Sequence, residues 1–108
     1  MRQDTQILHN LHRSHRLEIT QVHFTAASPQ DRESGLIGYV AATLNSTVRL
    51  DGIAVRRAVA DGHLILSFPS RRDAQGQLHP YYRPLDDATR RDIEGQVFAA
   101  LGIQEISR

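Results

Sequence analysis

The stretch Leu64-Ile65-Leu66-Ser67-Phe68-Pro69-Ser70-Arg71-Arg72 passes from an apolar run to a pair of cations across one proline. His63 to Phe68 is nearly all apolar, which predicts a central strand buried on both faces. Pro69 has no N–H for a ladder and ends the strand. Ser70 to Pro84, with Gly76 and two further prolines, is read as a polar loop. Upstream, Asp61-Gly62 predicts a hairpin turn into the strand.

Working back along the chain, Leu17 to Ala26 reads as a first strand, with Leu17 and Ile19 alternating with Glu18 and Thr20. Ala27 to Ser34 reads as a loop. Gly35 to Leu44 reads as a second strand, with Leu36, Val40 and Leu44 on one face and Ile37 and Tyr39 on the other. Asn45-Ser46 is a turn. Thr47 to Leu50 begins a third strand, and Ile53 to Val59 continues it. Asp51-Gly52 between them is either a bulge or a tight hairpin turn.

Working forward, one helix is expected after the loop. Asp86 is its N-cap, Asp87 lies in its first turn and Gly102 stops it. Ile93, Val97, Ala100 and Leu101 form its apolar stripe. The expected class is α+β: an antiparallel sheet of four to five strands with one C-terminal helix. One helix covers one sheet face, yet the strands carry apolar residues on both. A homodimer joined through the sheet is therefore expected. Residues 17–102 form the domain, 1–16 a loose N-terminal extension and 103–108 a short tail.

The chain has 108 residues and a formal net charge of +1. All thirteen cations are arginine; lysine, cysteine and tryptophan are absent. Lack of cysteine excludes disulfide scaffolds, thiol nucleophiles and zinc ribbons. Lack of lysine excludes Schiff-base chemistry and a P-loop. Met1 to Arg16 has no apolar core of an export signal, and no stretch is long and apolar enough for a membrane span, so a cytoplasmic location is expected.

The near-neutral total hides an uneven distribution. Residues 1–16 sum to +2, 17–53 to −2, 54–84 to +3 and 85–108 to −2. Arg71 and Arg72, just beyond the buried strand, are the sharpest cationic feature, with Arg83 on the same connection. A guanidinium fork suits phosphate or carboxylate equally. The plain alternative is a solvated loop with arginine paired to Asp73. Arg90 extends the patch unless Asp86, Asp87 or Glu94 neutralises it at helical spacing. Arg56 and Arg57 point to opposite strand faces, so one of them at most, taken as Arg56, joins a given patch. Tyr81 and Tyr82 are placed to stack on bases, or one of them plugs the core edge.

His9, His12 and His15 recur every three residues, but on a helix they step around the axis and do not converge on a metal. No metal, cofactor or small-molecule substrate is expected. No serine has a nucleophile context, and catalysis is not expected.

The order and spacing of these elements resemble the SpoVG family, the stage V sporulation protein G or septation regulators. The resemblance runs from about Leu17 to Leu101. Its most specific element is Phe68-Pro69-Ser70-Arg71-Arg72, preceded by Ile19-Thr20-Gln21-Val22 and Tyr39-Val40-Ala41-Ala42-Thr43-Leu44. Gly76, Arg83-Pro84-Leu85 and Thr89-Arg90 follow in order. The family implies a small dimeric α+β protein that binds DNA, and in some members RNA, in septation, sporulation or gene regulation. It implies a binding surface at Arg71 and Arg72, extended to Arg90. His79 stands where the family has a basic residue, and Arg83 where it has histidine. The alternative to nucleic-acid binding is a protein-interaction module of the division machinery.

Overall fold

The structure, a computed structural model, describes residues 17–103. The N-terminal extension with its three histidines, and the tail from residue 104 onward, lie outside the described residues. In chain order the elements are β1 (Ile19–Ala26), α1 (Pro29–Glu33), β2 (Leu36–Leu44), β3 (Val48–Arg57), β4 (Leu64–Ser67), β5 (Ser70–Arg72), β6 (Leu78–Pro80) and α2 (Asp87–Ala100). Strands β1 to β4 form one antiparallel meander in sequence order, and β5 pairs with β6 in a second, two-stranded sheet. The α+β class holds, with a single long helix at the C-terminal end of the described chain.

The turns follow their residues. Asn45 and Ser46 both take positive φ, 49° and 56°, at the centre of a turn closed by Thr47 N donating to Leu44 O at 2.9 Å, and Thr47 completes the connection before Val48 pairs with Leu44. Asp51-Gly52 is a bulge within one continuous strand. Val40 faces Ile53 and Ala42 faces Leu50, so Asp51 and Gly52 together oppose Ala41, with Gly52 at φ 78°. A second bulge in β1 puts Gln21 at φ 50°. Arg49 holds it: Nη1 donates to the Gln21 carbonyl at 2.8 Å and to Thr43 Oγ1 at 2.9 Å. In the stretch expected to be a loop, Ser28 accepts from Asp31 N and Pro29 opens the short helix α1.

The core lies between the sheet and α2. Ile19, Val40, Ala42, Leu50, Ile53, Val55, Leu64 and Leu66 meet Ile93, Val97 and Phe98 of the helix. The expected stripe needs one change: Phe98 is buried and Ala100 is exposed. Asp86 caps α2 by accepting from Thr89 N at 2.8 Å, and Gly102 takes φ 76° just past its end. Leu36 also departs from its expected face. A bulge after it sets it opposite Arg56, and it packs with Ala27 and Ala54 in a second small cluster.

The apolar run of β4 is an outermost strand, not a central one. Its exposed edge is covered by side chains of α2. Leu66 N donates to Glu94 Oε2 at 3.0 Å, and Arg90 Nη1 donates to Leu66 O at 2.8 Å. Gln96 does the same for β1, accepting from Ile19 N and donating to Leu17 O, both at 2.8 Å. Glu94 and Gln96 leave the helix on nearly opposite sides, because successive residues turn by about 100°. The helix thus bonds to the backbone of both outer strands while Ile93 and Val97 fill the space between.

Gly38 marks a close approach elsewhere. A Cβ there would run into the Thr25 carbonyl and the Phe24 ring, so the ring lies directly on the glycine. Gly38→Ala is expected to destabilise the fold by about 2 kcal/mol through overpacking. Glu94→Ala is expected to cost about 2 kcal/mol, because it leaves the outward N–H of Leu66 without its acceptor. Glu94→Gln keeps an acceptor and should cost about half as much. Urea unfolding followed by circular dichroism checks all three.

Candidate nucleic-acid interface

Residues 70 to 80, expected as a loop, form an ordered arm. Its register pairs Ser70 with Pro80, Arg71 with His79 and Arg72 with Leu78. Asp73 builds the tip: its Oδ1 accepts from Gln75 N and Gln77 N, each at 2.9 Å. Gly76 supplies φ 84°. This is the side-chain-mimicked turn that aspartate and glycine favour.

The root of the arm is fixed from three directions. Tyr81 N donates to Pro69 O at 2.9 Å, closing the ribbon at its base. Phe68, just before the arm, meets the edge of Tyr82, just after it, with centroids 6.0 Å apart at 72°. The Arg90 guanidinium lies 5.7 Å from the Phe68 ring centroid. Tyr82 Oη then donates to the Asp51 carbonyl at 2.6 Å, tying the arm to the β3 bulge. Burial, and next the nearby Asp51 charge, push the Tyr82 phenol up to about 12.

The candidate arginines therefore separate. The Arg71 side chain makes no hydrogen bond or ion pair among the described residues and stands exposed on β5. Arg72 is exposed and gives one hydrogen bond, Nη1 to Gly76 O at 2.6 Å. Arg83 is exposed on the connection to α2, with a long 3.5 Å contact to Pro84 O. Arg90 is engaged inside the molecule, by Leu66 O, Glu94 and Phe68. Arg56 is exposed on β3, opposite Ile65, on the sheet face away from α2 and off the arm. Arg57 takes the other direction and donates to Gly62 O at 2.7 Å.

Asp73 does not pair with either neighbouring arginine. Its Oδ2 lies 2.7 Å from His79 Nε2, and that bond, then the amide of Gln77, holds its carboxyl below the ordinary 3.8. The single acid of the arm is thus committed to the turn and to His79, and forms no ion pair with Arg71 or Arg72. The aromatics divide as well: Tyr82 is half-buried in the root, while Tyr81 is 65% exposed. Leu78, on β6, is 57% exposed. The root contacts of Phe68 and Tyr82 had no signal in the sequence, since nothing local shows that residues fourteen apart close one base.

Among the described residues no cluster of three metal-ligating side chains occurs, and no helix is long and apolar enough to cross a membrane.

Two titrations check this geometry. Ultraviolet titration of the three tyrosines should resolve one phenol near 12, lost in Tyr82→Phe. That variant should also lose about 1 kcal/mol with the hydrogen bond to Asp51 O. For Asp73 the folded value is depressed, so its stabilisation is present above the unfolded value and disappears as pH falls through the folded one. The amide resonances of Gln75 and Gln77 should therefore shift together as the carboxylate is protonated, on the acid side of the ordinary 3.8.

No family model matches the chain, and no curated protein matches it.

Proposed function

We propose that this protein is a nucleic-acid-binding regulator of the SpoVG type, acting on DNA, and on RNA where single strands are presented, as a cytoplasmic homodimer without catalysis. The observation that carries the proposal is the unpartnered Arg71 on an arm whose root is rigid and whose single carboxylate is already used. Arg72 and Arg83 add exposed charge, and Tyr81 adds a ring that can stack on a base. Fixed backbone and free guanidinium are what phosphate recognition needs, because the cation then gains its contact without first ordering a loop. Arg90 contributes indirectly here, by holding Phe68 at the base of the arm. Arg56 would serve a contact that reaches across the outer sheet face.

The dimer is supported by the free part of the β1 edge. Ala27 N bonds to Ile37 O, and the antiparallel alternation then turns the N–H and C=O of Phe24 and Ala26 away from β2. No partner meets them among the described residues. A second copy would pair there and duplicate the arm, raising affinity through effective concentration.

A second reading is favoured by Leu78, Tyr81 and Leu85, which are apolar and exposed along the arm and the connection after it. They suit a protein partner of the division machinery, whose acidic groups would meet Arg71 and Arg72. Fluorescence anisotropy with DNA and single-stranded RNA across a salt series tests the first reading. The expected result is binding that weakens steeply with salt, with both affinity and slope reduced in the Arg71→Glu, Arg72→Glu double variant. Unchanged binding in that variant would overturn the assigned surface, and a pull-down that survives nuclease would favour the second reading. Light scattering at micromolar concentration should give twice the chain mass of 12.2 kDa, and Ala26→Pro, which removes an outward N–H, should return it to the single chain.

A further inference from the structure

Resting on the nucleic-acid reading above, we propose that the β5–β6 arm enters the major groove of duplex DNA, with Arg71 and Arg72 reaching opposite phosphate walls. The carrying observation is that the two arginines lie on opposite faces of the ribbon. Successive side chains in a strand point to opposite faces, and cross-strand partners share one. The register therefore puts Arg71 with His79 on one face and Arg72 with Leu78 on the other. A flat surface or a lone strand, with one backbone, can be met by only one of those faces. A groove has a phosphate backbone on each side.

The dimensions agree. The major groove of B-DNA is about 12 Å wide and about 8.5 Å deep, and it admits a two-stranded ribbon. Three paired residues in each strand of the arm span roughly 10 Å at about 3.4 Å per residue. The arm carries no acid besides Asp73, and Asp73 is held by His79, Gln75 and Gln77. Arg72 spends one donor on Gly76 O, which aims the guanidinium beside the tip and leaves its other donors for phosphate. An RNA duplex does not fit the same way, because its major groove is deep and too narrow for side chains to enter.

The test is fluorescence anisotropy on the full chain with three probes: a short mixed-sequence DNA duplex, one of its strands alone, and an RNA duplex of the same sequence. Arg71→Gln and Arg72→Gln are compared singly and together; glutamine at 72 keeps a donor for Gly76 O, and circular dichroism confirms the fold. The expected result is tightest binding to duplex DNA, with each single variant lowering the salt slope by about 0.9 and the pair lowering it by about twice that. A ligand that fills the minor groove should leave the affinity unchanged. The inference is overturned, and the nucleic-acid reading kept, if only one of the two arginines matters, if single strand or RNA duplex binds as tightly, or if the minor-groove ligand displaces the protein. Absence of binding to all three probes at low salt overturns both.

Discussion

A buried carboxylate bonded to the backbone of an edge strand sets the rest of this molecule in place. Glu94 is 5% exposed and accepts from Leu66 N, while Arg90, one helical turn earlier, donates to the carbonyl of the same residue. Taking a charge out of water is costly, and the cost is offset only when every lone pair finds a donor in good geometry. That requirement fixes the rotation and the translation of α2 against the sheet. Hydrophobic contacts alone would not, since Ile93, Val97 and Phe98 would tolerate small slides along the core.

The consequence propagates outward. Once α2 is fixed, Arg90 necessarily lies over Phe68, Phe68 meets Tyr82, and Tyr82 reaches the bulge at Asp51. A chain of side-chain contacts therefore runs from the helix to the base of the arm. The residues that hold the arm are aromatic and partly buried, and those that extend from it are cationic and exposed. Arg90 belongs to the first group by contact although it belongs to the cations by type. Asp73 likewise looks like a neutralising partner in the sequence and acts as a turn builder in the fold.

Much of the architecture was legible in local chemistry. Asp86, Gly102, Asn45-Ser46 and Asp61-Gly62 act where they stand, because caps and turns depend on a few neighbouring residues. The α+β class followed from two periodicities. What escaped was non-local. The apolar run at Leu64–Phe68 looks like a central strand because burial by a helix at the edge leaves the same composition as burial by a neighbouring strand. Leu36 was misplaced since one bulge inverts every face beyond it. The arm read as a loop because strands of three residues are too short to show alternation. Among the candidate cations, Arg71 and Arg72 could be picked out from their place after Pro69, and Glu94 four residues on marked Arg90 as one that could be neutralised, whereas its contacts with Leu66 O and Phe68 are long-range and had no local signal.

The same helix that locates the arm also decides how the sheet ends. Its side chains occupy the backbone of β4 at Leu66, of β1 at Ile19 and of Leu17 just before it, and the far half of β1 is left with outward-facing amides. A sheet open along two margins can be lengthened from both sides and grow without limit. One with a single open margin can be lengthened once. When two such margins pair across a two-fold axis, each consumes the other and growth terminates. The helix thus closes the four-stranded sheet at Leu66 and at the approach to β1, and leaves the far half of β1 as its open margin among the described residues.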